Sequence, residues 1–461
     1  MVGRANAGQK GSLISYQAMG TAAAPGSAPG RGRAWRAEAA LVLGTALVSV
    51  PLLGTSGYEG DIARFKAWSR WAALEGVTTL YAMPRPYDVD YPPVTLYMYG
   101  LAGMAYRLLS DTSFDLQHAL ESGGLTVAVK AIGFMFHLIG AVLVSRVVSA
   151  RAGPGAGIAA AAAYAVNPAA LYAVAHWGQP DPLHSFLLVA AVLLLEKRRA
   201  GWAGLAFGLS LMTKPQAWAL VPVVLGVGVS AGWSVLGPLA AGTVAGALLP
   251  ALPFIVAGTW RQLLDLPFRI VGWMPYVNAG GHNFWWLVTG GMNWDSLWAD
   301  QALWAVVTYR QAAVALVAAA AAFALWLTRT RRLSAIAPYY AFAWYVLTVQ
   351  AHENHSFFVL PLLAVTLHQG RWPRVAFAVV TMTLMTNLVL HSPEIWGAEP
   401  ALFMHLQGAR LAVSLANAAV NVLLLACWTF VLVRGGAPEG LPASPASRYV
   451  GLVSSPAGGR A

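Results

Sequence analysis

Side chains that could move a proton lie in the polar segments between the apolar runs of this sequence. The first long polar segment, 54–124, holds Asp61 just after the first apolar run and an Asp-Tyr-Pro-Pro motif formed by Asp90 and Tyr91 with the two prolines that follow. Ionised carboxylates beside a membrane boundary are costly, so their grouping marks a candidate site that faces water. A carboxylate placed there has the chemistry of a general base, and Asp61 is our candidate.

Later polar segments add imidazoles, cations, amides and aromatic rings. These side chains are His176, Gln179, Asp181, Lys214, Gln216, Arg269, Asn283, Trp285, His352, Glu353 and His355. If the apolar runs cross a membrane alternately, all of them come to the same side. The sequence therefore predicts one polar layer that contains both acids and bases.

Several of these residues have a simpler structural interpretation. Asp61 precedes a helical pattern and could be its N-cap, and Asp90 could initiate a turn before the prolines. Lys214 could extend its ammonium group to the membrane surface, although a buried lysine beside Pro215 favours a functional role. Asp181 lies between two prolines and could only shape a turn.

The two histidines of the His-Glu-Asn-His segment raise the question of a metal. His352 and His355 are three residues apart and would share a helix face. The zinc motif His-Glu-x-x-His instead needs a spacing of four residues. We therefore expect no metal and no other cofactor.

The composition predicts an all-α polytopic membrane protein. Of its residues 58% are hydrophobic and 10% are charged, far below the quarter of charged residues that is usual in globular domains. Helices satisfy their own backbone in lipid, and no alternating pattern indicates a barrel. Cys427 stands alone, so the chain can form no internal disulfide. The net charge of +11 lies in short connections, which indicates membrane topology rather than nucleic-acid binding.

The order of apolar runs predicts about twelve membrane spans. Residues 1–33 and 435–461 are predicted to be disordered and cytoplasmic, and 34–434 to form the membrane domain. Segment 54–124 is the first outer loop, and within it 91–109 is predicted to be an interfacial helix. The predicted spans are 39–53, 125–148, 157–175, 182–195, 201–213, 215–230, 233–258, 302–328, 336–350, 356–368, 375–391 and 411–433.

At this point the order of the motifs resembles a known superfamily. The chain is similar to the dolichyl-phosphate-glucose-dependent glucosyltransferases of asparagine-linked glycosylation, which are GT-C enzymes, and to bacterial polyprenyl-phosphate-mannose-dependent transferases. The resemblance spans about 57–361 and departs from the family at Asn354, where lysine is usual, and at His282, where a small residue is common. The motifs that carry it are Gly-Asp at Asp61, Asp-Tyr-Pro-Pro at Asp90, Lys130, Lys214 with Gln216, Pro-Phe-Arg at Arg269, Asn-Phe-Trp at Asn283 and Trp285, and His-Glu at His352 and Glu353.

The resemblance implies an inverting transfer of glucose or mannose from a polyprenyl phosphate to a lipid-linked or cell-envelope glycan. Asp61 would then be the base and Lys214 a phosphate ligand, with Asp90 orienting substrate. The other phosphate ligands implied are Arg269, His352, His355 and Lys130, and the other substrate contacts are Tyr91, His176, Gln179, Asp181, Gln216, Asn283, Trp285 and Glu353.

The enzyme would lie in the cytoplasmic membrane with its site outside, and would need no divalent metal. A transporter or flippase of lipid-linked sugars is the main alternative, because such carriers also have about twelve spans and intramembrane charges. A non-catalytic scaffold would explain the aromatic residues but not the ordered acids and bases.

Overall fold

The computed structural model describes residues 29–110, 113–273, 275–292, 297–396 and 406–434. The segments 1–28 and 435–461, predicted to be disordered, lie outside the described residues. The first helix begins at Pro29, inside the stretch that was predicted to be disordered up to residue 33. Apart from two very short strand pairs, the regular structure of the described residues is helical, which confirms the all-α prediction.

Within the described residues, six helices are long and apolar enough to cross a membrane. This fits the predicted polytopic membrane protein. In chain order, with the candidate span in parentheses where it is shorter than its helix, they are α1 Pro29–Leu53 (Ala34–Leu53), α5 Gly123–Ala152, α11 Trp233–Val256, α14 Tyr309–Leu327, α17 Arg371–Leu390 and α19 Gly408–Arg434.

A seventh candidate is bent rather than straight. Helix α6 (Pro154–Ala165) is followed by α7 (Pro168–Leu171), which runs into a π-helical turn (Tyr172–His176), and the two halves meet at 46°. Asn167 caps the second half through its side-chain oxygen, which accepts from the backbone N–H of Ala170. Pro168, the next residue, has no backbone N–H to donate to the preceding turn, so the helix breaks here.

The remaining elements are shorter. The other α-helices are α2 Glu59–Glu75, α3 Pro93–Leu109, α4 Leu116–Glu121, α8 Asp181–Glu196, α9 Ala200–Leu211, α10 Val221–Ser230, α12 Trp260–Trp273, α13 Phe284–Val288, α15 Leu333–Leu347, α16 Val359–Ala364 and α18 Pro393–Trp396. Short 3₁₀ turns cover Val77–Ala82, Pro215–Leu220 and Leu367–Gln369. Strand β1 (Asn278–Ala279) pairs in parallel with β4 (Ala351–His352), and β2 (Ala302–Trp304) pairs with β3 (Val307–Thr308) as a hairpin.

One predicted span begins later than its apolar run indicated. The run 302–328 was predicted as a single span, but its first residues form the hairpin, and the helix starts at Tyr309. Thr308 and Gln311 form a capping box, in which each side chain binds the other residue's backbone. Such a box ends the extended segment and starts the helix. The hydropathy of the run does not reveal this capping box.

Segment 54–124, the predicted first outer loop, folds around aromatic rings. Helices α2 and α3 are joined by Phe65, whose ring stacks on that of Tyr99 with centroids 4.7 Å apart, and by Trp68, which lies edge-on to Tyr91 at 5.4 Å. Gly103 allows the close approach, since a Cβ there would lie 2.0 Å from the backbone oxygen of Ser69. This packing fixes α2, whose first turn carries Asp61.

Candidate active site

A cavity of about 450 Å³ brings together segment 54–124, the Gln179 loop, the Lys214 turn and the His352 segment. Its polar lining residues are Asp61, Arg64, Asp90, Tyr91, Gln179, Lys214, Gln216, His352, Glu353, Asn354 and His355. Its apolar lining residues include Trp218, Ala219, Pro222, Ile270, Val271 and Val317. Its volume lies within the range of ligand-binding pockets.

Asp61 faces this cavity and does not cap its helix. The N-cap of α2 is Tyr58, no side chain caps the helix, and Asp61 lies within the first turn. The alternative interpretation of Asp61 as an N-cap is therefore wrong. Its carboxylate instead accepts a hydrogen bond from the side-chain amide of Gln179.

A chain of hydrogen bonds runs from Asp61 to a buried ion pair. The oxygen of Gln179 accepts from the ammonium group of Lys214 at 3.0 Å. Lys214 also donates to both carboxylate oxygens of Asp181, at 3.1 and 3.0 Å, and Asn354 donates to Asp181 at 3.1 Å. An ammonium group can only donate, so it holds the Gln179 oxygen and turns the amide N–H toward Asp61.

The Gln179 loop is held against α5 at a glycine. A Cβ on Gly133 would lie 2.4 Å from the backbone oxygen of Gln179, a distance that real Cβ atoms essentially never show. Gly133 thus permits the loop to approach closely enough to place Gln179 between Asp61 and Lys214.

We expect Gly133→Ala to displace the Gln179 loop and to destabilise the protein by about 1–3 kcal/mol, as overpacking typically does. The measurement is the thermal unfolding midpoint of the purified protein in detergent. Gly124→Ala is the matched control on α5, because a Cβ there meets only ordinary contacts, the nearest at 3.5 Å. Equal midpoints for the two variants would contradict the tight contact.

Two opposing effects set the pKa of Asp61. Burial raises the pKa of this carboxyl group, and the positive charges of Arg64 and Lys214 lower it. Arg64 lies 3.3 Å from Asp90 in an ion pair. Sequence reasoning missed Arg64 as a site residue, although a spacing of three residues from Asp61 on a helix places both on one face.

The two histidines lie together but are not cations, and the helix on which their spacing was expected to place them is absent, since His352 ends strand β4 and His355 lies in a turn. The ring centroids of His352 and His355 are 4.9 Å apart. Burial lowers the pKa of His352 to about 4 and that of His355 well below its usual value, so both are neutral at pH 7. They can donate N–H groups to a phosphate but bring no resident positive charge. Among the described residues, no group of three or more His, Cys, Asp and Glu side chains could hold a metal.

Glu353 is the third carboxylate that lines the cavity, with Asp61 and Asp90, and its side chain is 13% exposed. Burial raises its pKa from 4.5 to about 7. An acid with a raised folded-state pKa holds its proton in the folded chain and loses it in the unfolded one. The free energy of unfolding therefore falls as pH rises from about 4.5 to about 7, by roughly 3 kcal/mol.

Glu353→Gln should remove this fall in the free energy of unfolding, because glutamine stays neutral at every pH. We expect the variant to have a higher unfolding midpoint than the wild type at pH 8 and a similar midpoint at pH 4.5. Glu75→Gln, at an exposed residue of α2, is the control and should change neither value. A midpoint difference that does not depend on pH would contradict the raised pKa.

Three other predicted site residues make their contacts away from the cavity. Lys130 donates to the backbone oxygen of Thr55 at 2.7 Å and to that of Leu52 at 3.3 Å, at the end of α1. His176 lies 2.8 Å from Glu394. Asn283 caps α13 with its oxygen and donates to the backbone oxygens of Tyr345 and Thr348. None of the three lines the cavity.

Trp285 and Arg269 also lie outside the cavity wall. The indole N–H of Trp285 donates to the backbone oxygen of Leu347 at 2.7 Å, next to the end of α15. Arg269 lies over the ring of Tyr81 and lines a smaller cavity of about 270 Å³ on the other side of Asp90. Its predicted contact with the donor phosphate is therefore not supported by its position.

A second buried polar cluster supports the His352 segment. His282 and His391 face each other with their Nε2 atoms 3.1 Å apart, and Asn417 lies 3.0 Å from His282 Nδ1. The next residue before His282, Gly281, donates its N–H to the backbone oxygen of Ala351 at 2.8 Å. This cluster was not identified as a unit from the sequence, because His282 is more than a hundred residues from both His391 and Asn417.

Comparison with known proteins adds no relative to this description. No protein-family model matches the chain, and no curated protein matches it significantly.

Proposed function

We propose that this protein is an inverting membrane glycosyltransferase. It moves glucose or mannose from a polyprenyl phosphate to a hydroxyl group of a lipid-linked or cell-envelope glycan. Asp61 is the general base, and the cavity of about 450 Å³ holds the donor.

The observation that carries the proposal is a cavity with both polar and apolar lining. Asp61, Gln179 and Lys214 form a hydrogen-bonded chain in its wall, and Trp218, Ile270 and Val317 also line it. A polyprenyl-phosphate sugar likewise combines a polar head with an apolar chain. Apolar walls with a few converging polar groups are what a binding site for such an amphiphile needs.

The proposed reaction is a displacement at C1 of the donor sugar, with Asp61 as the base. The acceptor oxygen attacks C1 of the donor sugar while Asp61 removes its proton, and the bond from C1 to the phosphate oxygen breaks. Attack from the face opposite the phosphate inverts the configuration. The leaving group already carries negative charge, so it needs hydrogen-bond donors more than a proton.

The candidate phosphate ligands Lys214, His352 and His355 have different roles in the proposed reaction. Lys214 already bonds to Gln179 and both oxygens of Asp181, so it mainly orients Gln179 and contributes long-range positive charge. His352 and His355 offer imidazole N–H groups, and a bound phosphate would raise their pKa by its own negative charge.

The arrangement in the membrane belongs to the same proposal. We infer about twelve membrane crossings, in which short helices such as α8, α9 and α15 cross together with the six longer ones. The cavity then faces outward from the cytoplasmic membrane of a bacterium or archaeon. Basic residues in the opposite loops support this orientation.

One feature favours a carrier of lipid-linked sugars as the second candidate. The bent pair α6 and α7 is a discontinuous helix, and transporters often bind substrate at such breaks. At this break, however, Asn167 is engaged with Thr381 and the backbone of Ala170. The break therefore serves helix packing more directly than substrate binding.

The deciding experiment supplies the purified protein in detergent with radiolabelled polyprenyl-phosphate glucose or polyprenyl-phosphate mannose and a panel of hexoside acceptors. An enzyme forms labelled glycoside from one of the donors. In proteoliposomes, a carrier would instead change the accessibility of the labelled lipid without consuming it. Intact donor under all conditions would refute the transferase.

A further inference from the structure

The smaller cavity, of about 270 Å³, has a composition suited to a different ligand from that of the larger one. It is lined by Arg85, Asp88, Val89, Asp90, Arg269 and Gly272. Four of these six residues are charged, and Val89 is the only one with an apolar side chain. It is also smaller than most drug-binding pockets, so its ligand is about one polar ring in size.

The two cavities meet at Asp90, which lines both. Arg64, which lines the large cavity, lies 3.3 Å from Asp90 and donates to the backbone oxygen of Asp88 at 2.6 Å. A ligand in the small cavity would therefore lie near a ligand in the large one. Acceptor and donor need this relationship for transfer.

Asp88 and Asp90 are the two acids that line this cavity, and their side chains are 19% and 24% exposed. Among the described residues, their Oδ1 atoms are closed to water and have no hydrogen-bond partner. The 3.3 Å contact of Asp90 with Arg64 is close enough for an ion pair but does not have hydrogen-bond geometry. Buried acceptors left without donors are costly, and ionised carboxylates can only accept.

The charges select among possible ligands. Arg85 and Arg269 provide donors only, while Asp88 and Asp90 provide acceptors only. Positive and negative side chains are equal in number, so an anion would gain from the arginines and lose to the aspartates. A hydroxyl group both donates and accepts, and a ring that carries several hydroxyls satisfies both kinds of residue.

We infer that the small cavity is the acceptor subsite and binds a neutral hexose ring. Asp88 and Asp90 accept from its hydroxyls, and Arg85 and Arg269 donate to its oxygens. The role as acceptor rests on the proposed transferase function, whereas the binding of a hexose does not.

The first test measures binding without any donor. Methyl α-mannoside and methyl β-glucoside are titrated into the purified protein, and saturation-transfer NMR reports their contact. Asp88→Asn and Arg269→Gln should each weaken binding by about tenfold to a hundredfold, the loss expected for a hydrogen bond to a charged group. Two variants are needed because Arg269 also lies over Tyr81.

Arg261→Gln is the matched control, because Arg261 is on the same helix, α12, and lines neither cavity. It should bind both hexosides as the wild type does. Equal affinity in all four proteins, or no binding by the wild type, would overturn the inference. Competition by inorganic phosphate at low concentration would also overturn it, since the cavity would then be an anion site.

The second test separates this inference from the proposed function. In the transfer assay, the two cavity variants should raise the KM for the methyl hexoside more than the KM for the lipid donor. If the wild type binds hexosides through these residues but consumes neither donor, the sugar subsite stands and the transferase proposal fails. If transfer occurs and both KM values change equally, the acceptor role fails and the transferase proposal remains.

Discussion

Asp61→Asn is expected to lower the rate of hexose transfer by about a hundredfold to ten-thousandfold, the contribution of a positioned general base. Asparagine has nearly the same shape but cannot take the proton of the acceptor hydroxyl. The amide of Gln179 donates to Asp61 in the wild type, and it can still donate to the side-chain oxygen of asparagine. The fold and the donor site should therefore be retained. The measurement is the initial rate with the labelled polyprenyl-phosphate sugar that the wild type consumes.

The matched control for this prediction is Glu59→Gln. Glu59 lies in the same first turn of α2, but its side chain is exposed and it does not line the cavity. Both variants remove one negative charge from the helix N-terminus, so both lose the same small dipole interaction. Only the loss of the base should stop transfer. An Asp61→Asn protein that is folded and retains full turnover would refute the assignment of Asp61 as the base.

The parts of the fold that could be predicted are those in which a helix is long and nearly free of charge. Helices α5, α11, α17 and α19 agree with their predicted spans to within a few residues. Such helices are readable because burial in lipid demands a continuous apolar run. The shorter apolar runs are ambiguous in the sequence. Within 356–368, for example, only Val359–Ala364 is α-helical, and a 3₁₀ turn follows.

The sequence of helix α12 has an amphipathic pattern that could have predicted this helix. The segment lies between the predicted spans 233–258 and 302–328 and was not predicted to be a helix, yet Trp260, Leu264, Phe268 and Val271 recur every three or four residues and are exposed on one face. That spacing is typical of a helix lying at a membrane surface. The arginines on the other face obscured the pattern, because average hydropathy falls when apolar and charged residues alternate around a helix.

The types of residue at the candidate site could be predicted, but their partners could not. Lys130 and Lys214 look equivalent in the sequence, since each is a lone cation at an apolar run. The structure pairs Lys130 with backbone oxygens at the end of α1 and Lys214 with Asp181. The partner of a buried charge depends on which distant segment packs against it. The position of a lysine in the sequence therefore says little about which residue it will pair with.

Lys214→Met is expected to destabilise the protein by about 3–5 kcal/mol, the cost of removing one member of a buried ion pair. The side chains of Lys214 and Asp181 are 4% and 2% exposed, so water cannot take over the lost contact. Asp181 would keep a hydrogen bond from Asn354 but no positive neighbour at contact distance. The measurement is the unfolding midpoint, followed by fluorescence-detected size exclusion after heating.

The double variant Lys214→Met with Asp181→Asn isolates the charge from the packing. With both charges removed, no uncompensated ion remains buried, so most of the lost stability should return. Lys197→Met is the control, because this lysine is exposed at the end of the same helix that begins at Asp181. It should change the midpoint little. Hexose transfer should not recover in the double variant, because the Gln179 amide would lose the donor that turns its N–H toward Asp61. A double variant no more stable than Lys214→Met would show that the ion pair does not hold this part of the site.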